Sequence, residues 1–126
     1  MTTKTLVMVC AAIEAATGVT FIAAPDIVAT MLLSSGLSGS GIAFTRLTGI
    51  ALLCLGLACW PRGDDVTQQA IRVLFTYDLL AALYFGYLRV GGGFVSYLLW
   101  LACAGHAALA LLLARPAYGR ASAAKQ

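Results

Sequence analysis

The chain has 126 residues, of which 61% are hydrophobic and only 10% charged, and its mean hydropathy is +0.92. Soluble domains run near ~45–50% apolar and ~25% charged, so this composition lacks the polar surface a water-soluble fold needs, and it equally excludes disorder, which requires low hydrophobicity and high charge. The net charge of +3 is scattered with no stripe of Lys and Arg, which argues against a nucleic-acid partner and leaves those charges as signals of membrane topology.

In chain order, four stretches are apolar and long enough to cross a bilayer, which takes about 20 residues each. They run approximately from Thr5 to Ala24, Ile42 to Trp60, Gln69 to Leu88 and Phe94 to Leu113. Pro25 ends the first, Trp60-Pro61 the second, and Gly91-Gly92-Gly93 separates the third from the fourth. The alternating pattern of a barrel is absent, so the expected fold is all-α, a single integral domain built as a four-helix bundle. The first span reads as retained rather than as a cleaved signal peptide, because Glu14 interrupts its apolar run and Pro25 would directly follow the cut. Between the first two spans, Asp26 to Leu33 opens with Pro and Asp as helix starts do, and Ile27, Val28, Met31 and Leu32 share one face. This predicts a short helix on the outer surface, serving either as an anchor or as a lid, followed by the flexible run Ser34 to Gly41.

Basic residues near helix ends set the orientation. Lys4, Arg62, Arg72, Arg115, Arg120 and Lys125 fall on one side and Arg89 and the shallow Arg46 on the other, which predicts both termini on the cytoplasmic side. Tyr87, Tyr97 and Trp100 then lie toward the outer interface and Trp60 toward the inner one. Cys10, Cys54, Cys59 and Cys103 all fall within apolar stretches and read as packing thiols, the alternative being a redox or metal role for Cys103, one turn before His106.

The ionisable residues inside the spans carry the functional information. Arg72 lies near the inner interface; apart from it each span holds one, namely Glu14, Arg46, Asp78 and His106 in order. A charge at the bilayer centre costs ~2.5–3.5 kcal/mol, so Glu14, Arg46 and Asp78 facing lipid unpaired would together cost on the order of 8 to 10 kcal/mol, and they are expected to face one another. Glu14, Asp78 and His106 fall in one layer, whereas Arg46 starts nearer the outside and either snorkels to the interface or bends inward to balance the carboxylates. Carboxyl and imidazole groups held together in an apolar setting titrate apart, so an acid and a base coexist near neutral pH, as proton transfer requires. Glu14, Asp78 and His106 are thus the candidate catalytic residues, with Arg46, Tyr77, Tyr84 and Thr17 as candidate substrate contacts. Each has a structural alternative: an interhelical hydrogen bond for His106, and packing or an aromatic belt for the tyrosines. A lone histidine does not predict a haem or a metal, and with no phosphate loop, nucleotide fingerprint or serine elbow no cofactor is expected.

The four short spans, the Pro-containing connection after the first, and the run Arg46-Leu47-Thr48-Gly49-Ile50-Ala51-Leu52-Leu53-Cys54-Leu55-Gly56-Leu57 resemble the small bacterial inner-membrane proteins of the DoxX-like group. The resemblance covers roughly Leu6 to Leu113 and implies a quinone or lipid partner. Glu14 in the first of four short helices also resembles the small multidrug resistance transporters, but Arg46, Asp78 and His106 depart from their single-glutamate exchange. Three functions follow as expectations: binding of a lipophilic small molecule, quinone- or isoprenoid-like, at the acid–base layer with proton transfer; a proton-coupled carrier; and an accessory subunit whose polar layer fixes helix register. A bundle this small encloses only a modest cavity, so a solute path or a larger site calls for a homodimer or a larger membrane complex.

Overall fold

A computed structural model describes residues 1–63 and 65–119; Arg120 and Lys125, counted above toward orientation, lie outside the described residues. Among the described residues the elements are α1 (Thr3–Ala23), α2 (Pro25–Leu33), α3 (Gly39–Cys59), α4 (Gln68–Val90) and α5 (Tyr97–Tyr118). Apart from α2, the helices have 21, 21, 23 and 22 residues in chain order, and each is long and apolar enough to cross a membrane. At ~1.5 Å per residue each reaches roughly 30 Å, the hydrocarbon thickness of a bilayer. The all-α, four-helix membrane bundle expected from the sequence is the observed architecture.

Helix starts follow caps rather than hydropathy. Thr2, Ser38, Thr67 and Ser96 each accept from a backbone N–H of the first turn, at 3.2, 3.3, 3.2 and 3.2 Å, satisfying donors that the helix itself leaves open. Hence α3 begins at Gly39, three residues before the expected span, and α5 begins at Tyr97, three residues after it. The last helix also runs past Leu113 to Tyr118 with Pro116 in its final turn. Gln68 Nε2 donates to the carbonyls of Pro116 (3.0 Å) and Ala117 (2.7 Å) and Arg72 Nε to Ala117 (3.4 Å), so the start of α4 caps the end of α5.

The bundle is two antiparallel pairs, α1 with α3 and α4 with α5, and contacts between the pairs are sparse by comparison. In the first pair glycines bring the backbones together. A methyl built on Gly18 would meet Leu53 N at 2.5 Å and Gly49 O at 2.6 Å, and one on Gly56 would meet Ala11 O at 2.5 Å. Leu6, Val7, Cys10, Ala11, Cys59, Ile71, Leu74, Leu113 and Ala117 form a buried core where α1 and α4 begin and α3 and α5 finish. That end is tight; the opposite end, which carries α2, is open between the pairs. Ser96, itself buried, donates to the carbonyl of Met31 at 2.6 Å and fastens the end of α2 to the start of α5.

The α2 helix turns its faces differently from a simple float. Pro25 and Ala29 are buried and Val28 and Leu32 half-buried, whereas Ile27 and Met31 are 62% and 56% exposed. One stripe therefore covers the bundle and the neighbouring one meets its surroundings. Cys10 and Cys59 pack in the core, Cys54 is exposed, and all four thiols are free; Cys103 Sγ donates to Ala82 O at 3.3 Å, an α4–α5 contact.

Because the atoms facing Gly56 are backbone, Gly56→Ala is expected to lower the unfolding free energy in mixed micelles by about 1–3 kcal/mol. Gly105→Ala, where nothing lies within 4 Å, serves as the control and is expected to stay within about 0.5 kcal/mol of the parent.

Candidate functional site in the membrane interior

Apolar helices can present a carboxylate inward only where the facing helix supplies a partner, and α4 and α5 do so directly. Asp78, fully buried in the middle of α4, has its Oδ1 2.7 Å from Nδ1 of His106 on α5. With the carboxylate as acceptor, Nδ1–H donates and Nε2 is the imidazole's available nitrogen. The ring is clamped between Tyr77, edge-on at a centroid distance of 5.7 Å, and Phe85 at 5.5 Å.

Glu14 enters the same layer from α1. It is 1% exposed, and one ligating atom from each of Glu14, Asp78 and His106 falls within 4.8 Å of the others. Tyr77 of α4 lies close to the Glu14 carboxyl. Glu14 Oε1 and Asp78 Oδ2 are buried without a hydrogen-bond partner, an uncommon condition for carboxylate oxygens in an apolar interior. The sequence-predicted layer of three groups is thus assembled.

Arg46 is not part of it. It is exposed on α3, beside Phe44 and Leu47, and at about 100° per residue it stands roughly 80° around the helix from the buried Gly56. The inward pose weighed from the sequence therefore gives way to the outward one, because α3 spends its inward face on Gly49, Leu52 and Gly56. Among the described residues no guanidinium is placed in the layer, and His106 is the basic side chain within it.

Above this layer, toward α2, lies a cavity of about 650 Å³ between the two helix pairs. His106 and Tyr77 line it, together with Thr17, Phe21, Ala81 and Phe85. Of the predicted contacts, Thr17 and Tyr77 belong to the wall near the cluster, whereas Tyr84 is 59% exposed at the rim and stacks on Tyr87 at 6.5 Å. Sequence reasoning missed Thr45, Thr48 and Leu52 of α3 and Leu37 before it, which also line the cavity. A signal existed, since Thr45, Thr48 and Leu52 share the helix face of Gly49 and Gly56. Val28, Ala29, Leu32 and Leu33 close the cavity from α2, an arrangement that suits the lid as well as the anchor.

Removing one member of a buried pair strands the other. His106→Leu, which leaves Asp78 unpaired, is expected to cost about 3–5 kcal/mol of stability, whereas Arg46→Leu, at an exposed position, is expected to change it by no more than about 0.5 kcal/mol; denaturation in mixed micelles reads both. Comparison with protein-family models, with curated proteins and with solved structures gave no match for this chain.

Proposed function

We propose that the protein binds a lipophilic small molecule with a polar head, quinone- or isoprenoid-like, in the cavity between its helix pairs. The head meets His106 and Tyr77, and the Asp78–His106 pair serves as the acid–base group for proton transfer to it. The observation that carries this reading is His106, hydrogen-bonded to the buried Asp78, on the wall of a largely apolar cavity.

The volume, about 650 Å³, falls in the ~300–1,000 Å³ range of small-molecule sites, and a few convergent polar groups in an apolar wall are what orient such ligands. Asp78 fixes the imidazole's tautomer and ring plane, and Tyr77 and Phe85 restrict its rotation, so a proton is exchanged at Nε2 with little reorganisation. Glu14 is the second acid of the layer and communicates with the cavity through Tyr77. The packed core at the other end favours a binding site over a through-path for solute, which weighs against a carrier. The same proposal sets the chain in a bacterial inner membrane with the core end inward, supported by Lys4, Arg62, Arg72 and Arg115 at that end.

Native mass spectrometry from nanodiscs is expected to show a retained small-molecule adduct on the parent chain. Ala81→Trp, which fills the cavity, is expected to abolish the adduct while the bundle stays folded, and Tyr77→Phe to weaken it roughly tenfold, as loss of one buried hydrogen bond does. A ligand-free parent, or an adduct untouched by Ala81→Trp, would refute the reading. For orientation, a cysteine at Gly36 is expected to react with an impermeant maleimide on intact cells, and one at Arg62 only after permeabilisation.

A further inference from the structure

The Glu14, Asp78 and His106 layer has an electrostatic problem that the proposed ligand does not solve. Two carboxylates, 1% and 0% exposed, each place a ligating oxygen within 4.8 Å of the other and of one imidazole nitrogen, and Arg46 on α3 is exposed rather than turned to them. Each acid keeps one buried oxygen unpartnered, Glu14 Oε1 and Asp78 Oδ2. An isolated charge in such surroundings costs several kcal/mol, so a group supplying positive charge and two open bonding directions at once fits what these oxygens lack.

We infer that this layer is a binding site for one divalent transition-metal ion, held by Glu14, Asp78 and Nδ1 of His106. Two carboxylates, a neutral imidazole and a dication sum to zero charge, which removes the burial penalty of both acids together. The ligand types select within the dications: imidazole with carboxylate suits zinc, manganese, iron or cobalt, whereas magnesium and calcium prefer an all-oxygen set. Spacing is compatible. Ligand bonds of about 2.0–2.2 Å require donors roughly 3–3.5 Å apart, the His106–Asp78 edge is already 2.7 Å, and the 4.8 Å outer limit leaves Glu14, on its flexible side chain, as the arm that closes. As the ion enters, the imidazole changes tautomer: the Nδ1 proton is released and one proton is taken up at Nε2, so the ring stays neutral with no net change in proton number. Three protein ligands leave coordination positions open, the pattern of reactive rather than purely structural sites.

This inference shares residues with the ligand-binding proposal but does not depend on it. The test uses the full chain carrying a purification tag free of histidine, stripped with chelator in mild detergent, loaded with Co²⁺ or Cu²⁺ and desalted. One ion per chain is expected to remain. The chain contains one histidine, so imidazole nitrogen coupling in pulsed electron paramagnetic resonance of the Cu²⁺ form reports His106 without any substitution. Glu14→Gln and Asp78→Asn are each expected to weaken Co²⁺ binding by more than the roughly tenfold that changes behind a metal ligand produce, with Arg46→Gln unchanged. Substoichiometric retention, a bound ion lacking imidazole coupling, or affinity untouched in both acid variants overturns the inference and leaves a proton as the group that neutralises the pair. The small-molecule adduct is read separately, so either idea can fail while the other stands.

Discussion

The structure depends on where two carboxylates can be kept in an apolar bundle. Glu14 and Asp78 are among the most deeply buried side chains of the molecule, and neither could face acyl chains without a cost comparable to a sizeable share of a domain's stability. Asp78 is held by His106, and Glu14 lies beside this pair and Tyr77. Three helices must therefore stay in register at one depth, and this polar layer together with the apolar core beside it sets how the α1–α3 pair sits against the α4–α5 pair.

The two pairs are built by different physics. Between α1 and α3, glycine lets backbone touch backbone, and the association is van der Waals contact with no polar content. Between α4 and α5 the ties are directional: Gln68 and Arg72 to the last carbonyls of α5, Cys103 to Ala82, and His106 to Asp78. A lipid-exposed bundle gains no hydrophobic free energy from pairing helices, so each pair is held by its own complementarity and nothing compels the pairs to nest along their whole length. They meet in the core and diverge beyond the polar layer. The cavity is the result of that divergence, with His106 and Tyr77 on its wall toward the polar layer and α2 across its mouth.

Much of this was legible in the sequence because burial of charge is so costly in a membrane. Composition established the class, breakers separated the spans, and depth counting placed Glu14, Asp78 and His106 in one layer. Helix boundaries were less legible from hydropathy, which averages over a window and ignores the hydroxyls of Ser38 and Ser96 that set the first turn. Arg46 was ambiguous for a physical reason: a long aliphatic stem lets a guanidinium reach either way, and only the packing of Gly49 and Gly56 against α1 decides the rotation of α3. The cavity wall from Thr45 and Thr48 was hidden because threonine in an apolar helix satisfies its own hydroxyl locally, as Thr48 does on the Phe44 carbonyl at 2.9 Å, and so leaves no imprint of unmet polarity.

The position of α2 ties these features together. A helix of nine residues cannot span the bilayer, and its partition between bundle and interface is set by which stripe is covered. Val28 and Leu32 lie over the cavity while Ile27 and Met31 are exposed, so moving α2 outward exposes cavity wall and moving it inward strips apolar area from the interface. The Ser96 bond to Met31 O and the sharp start at Pro25, which packs against the bundle, hold its two ends. An apolar molecule entering from the lipid replaces contacts that α2 makes with the cavity, at little net cost in buried area. Because the cluster is closed off by packed core on its other face, the proposed ligand would have to reach His106 past α2 or through the α3–α4 seam, where Leu80 and Tyr84 are 60% and 59% exposed at the rim.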